Sequence, residues 1–355
     1  MNTIKKIGLT ALGTSLVASS AIAADFSVSG DAGYTWSSEA VGSTTNDGVG
    51  FNHDLSFSGS GELDNGWSVN TNVTIIEDTS LSSSHVKLTM GSMGSVVVGN
   101  GYGGLGAGFD AVTPFAYEEN HDGMKTTTAI DGIGSGIANG QILYNLPSID
   151  IAGASLALSY EWAPEANGTY TGEGGVSSGS SKAFSTGQGV AANVTYEGLK
   201  FGAYVNELTK DGGTSALADG DASDATWYVK YTMGPVAIGY QFANVEKAVG
   251  GAADTATTAA KTVAAATGQF ESEMISIAFN VNENFSVSYG DLTETYDAQD
   301  MGTIADVDMT SKSIQFAYTI GSMSIKGYQT DTDNPGWDSD ASSDEVTELA
   351  INFAF

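Results

Sequence analysis

The 355-residue chain has no cysteine and no arginine. Without cysteine, an oxidising compartment contributes no covalent staples to the fold. Without arginine, all 12 basic residues are lysines, set against 42 carboxylates, for a formal charge of −30 and a pI near 4.1. That balance excludes nucleic acid as a partner, because its phosphates would be repelled. It also argues against a polybasic attachment to anionic lipid. Histidine is scarce too: His53, His85 and His121 lack partners at metal-ligand spacing, and no nucleophile elbow or phosphate loop occurs. An enzyme, a metal centre and a bound cofactor are therefore not expected. No run approaches the 18 or so apolar residues of a spanning helix. Yet 41% hydrophobic residues and 46 glycines do not describe a disordered chain. What remains is a large, glycine-rich, all-β exported protein.

Export is written at the start. Lys5 and Lys6 precede an uncharged apolar stretch, Ile7–Ser20, and "AIA" at 21–23 supplies small residues at a cleavage position. This order predicts a secretory signal peptide over residues 1–23 and a mature domain over 24–355. Removing it takes away two lysines and moves the formal charge from −30 to −32.

Alternation of apolar and polar residues runs from end to end. In "FSVSGDAGYTW", Phe26, Val28, Tyr34 and Trp36 share one face and Ser27, Ser29, Asp31 and Thr35 the other. "LKFGAYVNE" and "ESEMISIAFNVN" repeat the pattern. Short turns are expected at Asp64-Asn65-Gly66, Gly91–Gly94, Pro147–Asp150, Glu197-Gly198, Gly234-Pro235, Asn282–Asn284 and Gly321-Ser322. Between them lie long polar stretches at roughly 37–50, 77–84, 100–139, 163–189, 207–225, 244–270, 291–309 and 330–344. Seven short turns alternating with eight long loops imply sixteen antiparallel strands of about ten residues, trimmed at one end and elaborated at the other. An outer-membrane β-barrel fits this rhythm better than a soluble β-sandwich, whose alternation would look the same. Loop 163–189 is Gly/Ser-rich, and "DTATTAAKTVAAA" in loop 244–270 is read as a short helix or low-complexity coil. "DTDNPG" at 331–336 only faintly echoes a calcium loop.

Lipid tolerates no open sheet edge. Closure must then join the first strand, near Phe26, to the final "ELAINFAF". Leu349, Ile351, Phe353 and Phe355 fall on its lipid side, and Glu348, Ala350 and Asn352 on the other. Phe355, Tyr196 and Trp67 are expected at the periplasmic interface, and Trp36, Trp162 and Trp227 at the outer one.

The signal peptide, the strand count, the terminal Phe355, and "KLTMGSMGSVVVGN" leading into the longest insertion at 100–139 resemble the sixteen-stranded general diffusion porins of Gram-negative bacteria. The resemblance implies a homotrimer in outer-membrane lipid and lipopolysaccharide, delivered to assembly machinery through its C-terminal strand. It further implies a third loop folded inward as a constriction, its carboxylates facing basic residues on the barrel wall. Carried over, Asp110, Glu118, Glu119 and Asp122 are the loop-side candidates and Lys87 the wall-side one. The basic wall is otherwise missing: the first three strands offer inward Asp31, Asp54 and Glu62. The other inward lysines are Lys200, Lys230 and Lys326.

A sixteen-strand barrel is wide enough for water. The expected inner surface is mostly Ser, Thr, Asn and Gly, with no greasy path or aromatic ladder, and no plug-sized domain precedes the first strand. These features favour passive diffusion of small hydrophilic solutes. Surplus carboxylates in a low-dielectric tube concentrate cations and repel anions, so a cation preference is expected. The alternative is a structural or adhesive surface barrel whose acidic loops bind divalent ions or partners.

Overall fold

The computed structural model describes residues 25–76, 80–100, 104–121, 123, 128–137, 140–164, 166, 184–210, 221–247, 268–297 and 306–355. One antiparallel sheet closes on itself as a sixteen-stranded barrel. Its strands are β1 (Asp25–Val41), β2 (Thr44–Glu62), β3 (Ser68–Ile76), β4 (Ser80–Thr89), β5 (Ser95–Asn100), β6 (Gln141–Asn145, resumed as Ile149–Ile151), β7 (Ala154–Ala163) and β8 (Phe184–Tyr196). They continue as β9 (Leu199–Lys210), β10 (Ala222–Met233), β11 (Val236–Lys247), β12 (Gly268–Asn280), β13 (Phe285–Asp297), β14 (Val307–Ile320), β15 (Met323–Asp333) and β16 (Asp344–Ala354).

The seam lies where the terminal strand predicts it. β1 pairs with β16 from Asp31–Ala354 to Val41–Asp344. Phe355 completes it: its N–H donates to the Gly30 carbonyl and its carbonyl accepts from the Gly30 N–H, both at 2.9 Å. Phe353 and Phe355 face outward, 43% and 70% exposed, within an apolar belt that includes Phe201, Val205, Ile238, Ile277, Ile314 and Ile351. Trp36, Trp162, Trp227 and Tyr196 are outward and exposed as well. A closed sheet leaves no unpaired edge in hydrocarbon.

Three expected connections differ. The 37–50 stretch is the tip of a long hairpin rather than a loop, with β1 and β2 joined through Gly42 and Ser43 alone. Its polar residues suit strands that project past the lipid, where both faces meet water. The 77–84 stretch shrinks in the same way, because β4 starts at Ser80. The turn expected at Pro147–Asp150 moves to Ala152-Gly153, whose φ values of 54° and 88° suit a two-residue hairpin. Leu146–Ser148 instead interrupts β6, where Pro147 cannot donate to a ladder. The possible helix in loop 244–270, at 254–266, lies outside the described residues, as does most of loop 163–189. The 331–336 stretch ends β15 and enters a single 3₁₀ turn, Pro335–Trp337. Among the described residues, no group of three or more His, Asp or Glu side chains could hold a metal.

Candidate functional site

The 100–139 insertion follows β5 and folds into the lumen. Its outward pass makes hydrogen bonds around the wall in strand order. The Leu105 N–H donates to Glu161 Oε2 of β7 at 2.7 Å, and Val112 N–H to Gln241 Oε1 of β11 at 2.9 Å. Ser276 of β12 donates its hydroxyl to the Pro114 carbonyl at 2.6 Å, and the Ala116 N–H reaches Ser288 Oγ of β13 at 2.8 Å. Tyr117 N–H then meets Gln315 Oε1 of β14 at 3.0 Å. The return pass is held by carboxylates: Ala129 N–H donates to Glu294 Oε1 of β13 at 2.8 Å, and Gly134 N–H to Asp224 Oδ2 of β10 at 2.9 Å.

The chemistry of these anchors follows from what a loop inside a barrel lacks. Its backbone has no strand to pair with, so buried N–H and C=O groups need side-chain partners. Gln241 and Gln315 serve as surrogate strand edges. Gln315 accepts from Tyr117 and donates Nε2 to the Glu118 carbonyl at 2.7 Å, and Gln241 donates to the Phe109 carbonyl at 2.5 Å. Glu161, Asp224 and Glu294 are buried, and each accepts at least one further hydrogen bond. Each of these hydrogen bonds satisfies an oxygen that burial has removed from water. Between loop and wall lies an apolar cluster that includes Phe109, Ile130, Ile133, Phe270, Met274 and Leu292. This qualifies the expectation of an inner surface that is mostly Ser, Thr, Asn and Gly: the inward face turns apolar where the loop covers it. Gly106 and Gly134 let the two passes touch, since a Cβ on Gly106 would lie 2.5 Å from the Gly134 Cα.

The predicted residues divide between two places. Glu118 and Glu119 lie on the loop, partly exposed, beside Tyr117. The Tyr117 hydroxyl donates to Glu348 of β16 at 2.9 Å, and Lys326 Nζ of β15 sits 5.1 Å from the Tyr117 ring centroid. Burial raises Glu118 to about 7; the neighbouring charges of Glu348 and Glu119 reinforce the shift, while the Tyr117 hydroxyl and Lys326 oppose it. Burial likewise raises Tyr117. Asp110 is raised by burial, with Glu119 and Asp131 adding to it and the Ala111 N–H and His121 opposing. His121 pairs through Nε2 with Asp131 Oδ1 and so ties the outward pass to the return. Asp122 lies outside the described residues.

Lys87 lies elsewhere, on the lumen side of β4 between Asn70 and Val97. Asp31 and Asp54 are direct cross-strand partners on β1 and β2, and Glu62 ends β2 opposite Ser68. The wall base beside the loop carboxylates is therefore Lys326, because the Tyr117–Glu118 stretch docks on β14–β16 rather than on the first strands. Lys200 and Lys230 face each other across β9 and β10.

Sequence reasoning missed Glu161, Asp224, Glu294 and Glu348 as functional residues. A signal existed for two of them, an inward carboxylate in a strand whose outward neighbours are apolar: Glu161 lies between Tyr160 and Trp162, and Glu348 sits so in "ELAINFAF", whereas Asp224 and Glu294 are flanked by small or polar residues.

An inward-folded loop inside a sixteen-stranded barrel defines a channel of the porin class. A family model described as Gram-negative porin matches residues 8–355, and the chain belongs to that family. No curated protein matches the sequence. Among solved structures, OmpF of Salmonella typhi in complex with daunomycin is 12% identical with a TM-score of 0.68, covering 93% of this chain and 97% of its own. A porin refined at 1.8 Å is 17% identical with a TM-score of 0.61, over 93% of this chain and 100% of that one. The trimer form of OmpT from Vibrio cholerae is 12% identical with a TM-score of 0.59, over 94% and 100%. Family and fold point to an outer-membrane channel rather than an enzyme.

Proposed function

We propose that the protein is a cation-preferring porin through which small hydrophilic solutes and ions diffuse passively. The supporting observation is the loop–wall cluster: Glu118, Glu119 and Glu348 gather at the inward loop with Lys326 as the neighbouring base. Three carboxylates beside one ammonium leave a negative surplus in a tube whose low-dielectric wall focuses the field. Asp31 and Asp54 extend that surplus onto the adjoining wall, since β1 pairs with the Glu348 strand β16. Cleavage after residue 23 would leave the chain at −32. The channel assembles as a homotrimer, as the trimer form of its OmpT neighbour does. It sits among outer-membrane lipid and lipopolysaccharide, and its C-terminal strand presents Phe353 and Phe355 to the assembly machinery.

The test is the reversal potential of the refolded mature protein across a KCl gradient. A potential favouring potassium, reduced when Glu118→Gln and Glu119→Gln are combined, is the expected result. A potential favouring chloride overturns the cation preference. The same recording separates a channel from a structural or adhesive barrel, which would pass no current.

A further inference from the structure

Most lumen and rim lysines described have a carboxylate or an amide beside them. Lys312 on β14 stands between Asp291 and Asp331 in the register of its two neighbours. Lys326 lies beside Glu118, and Lys87 opposite Asn70. Lys200 and Lys230 break this pattern. They are direct partners across β9 and β10, and both point inward, sharing parity with Tyr204 and Tyr228 beneath the loop. Neither ammonium forms an ion pair with a described residue.

Their surroundings hold no carboxylate at the adjoining inward positions. Thr195 is opposite Lys200 on β8, and Gly239 is opposite Lys230 on β11. One step further along the strands lie Asn193, Gly202 and Tyr228, and the Tyr228 hydroxyl donates to Asn193 Oδ1 at 2.9 Å. Gly239 abuts the loop, since a Cβ there would lie 2.5 Å from Pro114 Cδ. Lys200 is exposed and Lys230 half-buried. The pair thus sits on the lumen wall between the loop's underside and the short turns at Glu197-Gly198 and Gly234-Pro235.

Like charges directly opposite in a sheet are destabilising, and a chain with 42 carboxylates had ample means to neutralise them. We propose that Lys200 and Lys230 form a subsite for a dianion of the phosphate type at the periplasmic mouth of the pore. Cross-strand partners stand about 4.5–5.5 Å apart at Cβ, so two flexible ammonium arms converge on different oxygens of one phosphoryl group. Thr195 adds a neutral hydroxyl at the edge. The channel then carries two zones of opposite sign, an acidic one at the loop and a basic one on its periplasmic side. A bound dianion would lie in the path of cations leaving the constriction.

The test uses the intact refolded channel in planar bilayers, with inorganic phosphate as the probe, held at an alkaline pH where its second proton is off and the dianion predominates. Phosphate added on the short-turn side should lower the potassium current more than the same addition on the loop side. In the K200Q/K230Q double variant the concentration needed should rise about tenfold or more, as expected for losing two charge-assisted contacts. Heat-modifiable migration on gels confirms that the variant forms a barrel. Should the double variant not assemble, the single K200Q change at the exposed position must still weaken the phosphate effect. A native channel indifferent to phosphate, or a variant equally sensitive, overturns the proposal. The phosphate-free reversal potential in KCl is read in the same bilayers, so a failure of the cation preference is recognised separately.

Discussion

The inner surface of this barrel has two halves built to opposite rules. On β1–β4 the inward side chains are small, polar and partly exposed, among them Ser56, Ser58, Asn72, Thr74, His85 and Lys87. They bond chiefly to one another, as Asn72 Nδ2 does to Ser58 Oγ at 2.9 Å and Ser56 to Thr74 at 2.9 Å. On β9–β15 the inward side chains that the loop covers are buried, among them Tyr204, Phe270, Met274, Leu292 and Glu294. One wall behaves as a wet surface and the other as a protein core with a loop for its second layer. The passage therefore runs along the open wall, and the covered wall sets how wide it is. A change on the covered wall should act on loop position, and one on the open wall only on what ions feel.

Glu294 gives the largest effect. It is fully buried, and it accepts from the Ala129 and Ile130 N–H groups and from the Ser272 hydroxyl at 2.6 Å. Glu294→Ala strands these donors and should cost about 3 kcal/mol or more of loop anchoring. Single-channel recording should show a larger, noisier conductance as the return pass lifts. Native-like steady current would mean that the apolar cluster alone fixes the loop. Gly134→Ala should do somewhat less. Its φ of 71° is strained for an L-residue, and its Cβ would meet the Gly106 Cα at 2.6 Å, so about 1–3 kcal/mol of local strain is expected. Raised conductance variance without loss of the folded barrel on gels would be its signature.

How much of this contrast the sequence carries can be judged residue by residue. Period-two alternation makes the lipid face legible, and Phe353 and Phe355 fall on the seam as read. The same rule fails near the loop end of β12 and β13, where Phe270, Leu292 and Tyr296 point inward and Glu271 and Asp291 outward. There the strand has left the lipid belt, and the loop supplies an apolar partner on the inside, so the polarity of the two faces inverts. A single strand carries no mark of which partner it will meet. Glu118 was legible as a loop carboxylate, but its docking on Lys326 and Glu348 was not, because that depends on where Gln315 catches the backbone.

The covered wall also gives the pore a pH dependence. With Glu118 raised to about 7 from its ordinary 4.5, the folded channel holds a proton there that the unfolded chain has released. Stability from this group is therefore present below about pH 4.5 and is lost as pH rises through about 7, because more protons are bound in the folded state. Selectivity moves the other way. Charge appears on Glu118 as pH rises, so the potassium preference should grow between about pH 6 and pH 8. Glu118→Gln should abolish that rise, and Glu348→Gln should shift it to lower pH by removing the adjacent negative charge. A preference flat with pH in the native channel would place Glu118 outside the conducting path.

The smallest effect is expected at Lys87, and it tests the open wall. Its neighbours in register are Asn70 and Val97, and it is partly exposed with no loop residue hydrogen-bonded to it among those described. Lys87→Gln removes one positive charge beside the passage and no buried contact, so stability should stay within about 0.5 kcal/mol of native. Conductance noise should be unchanged, because no anchor of the loop is touched. The potassium preference should rise modestly, and the rise should fade in high salt as the Debye length falls to about 3 Å at 1 M. A change in noise would mean that the loop leans on β4 after all, and the division into a covered and an open wall would have to be redrawn around that contact.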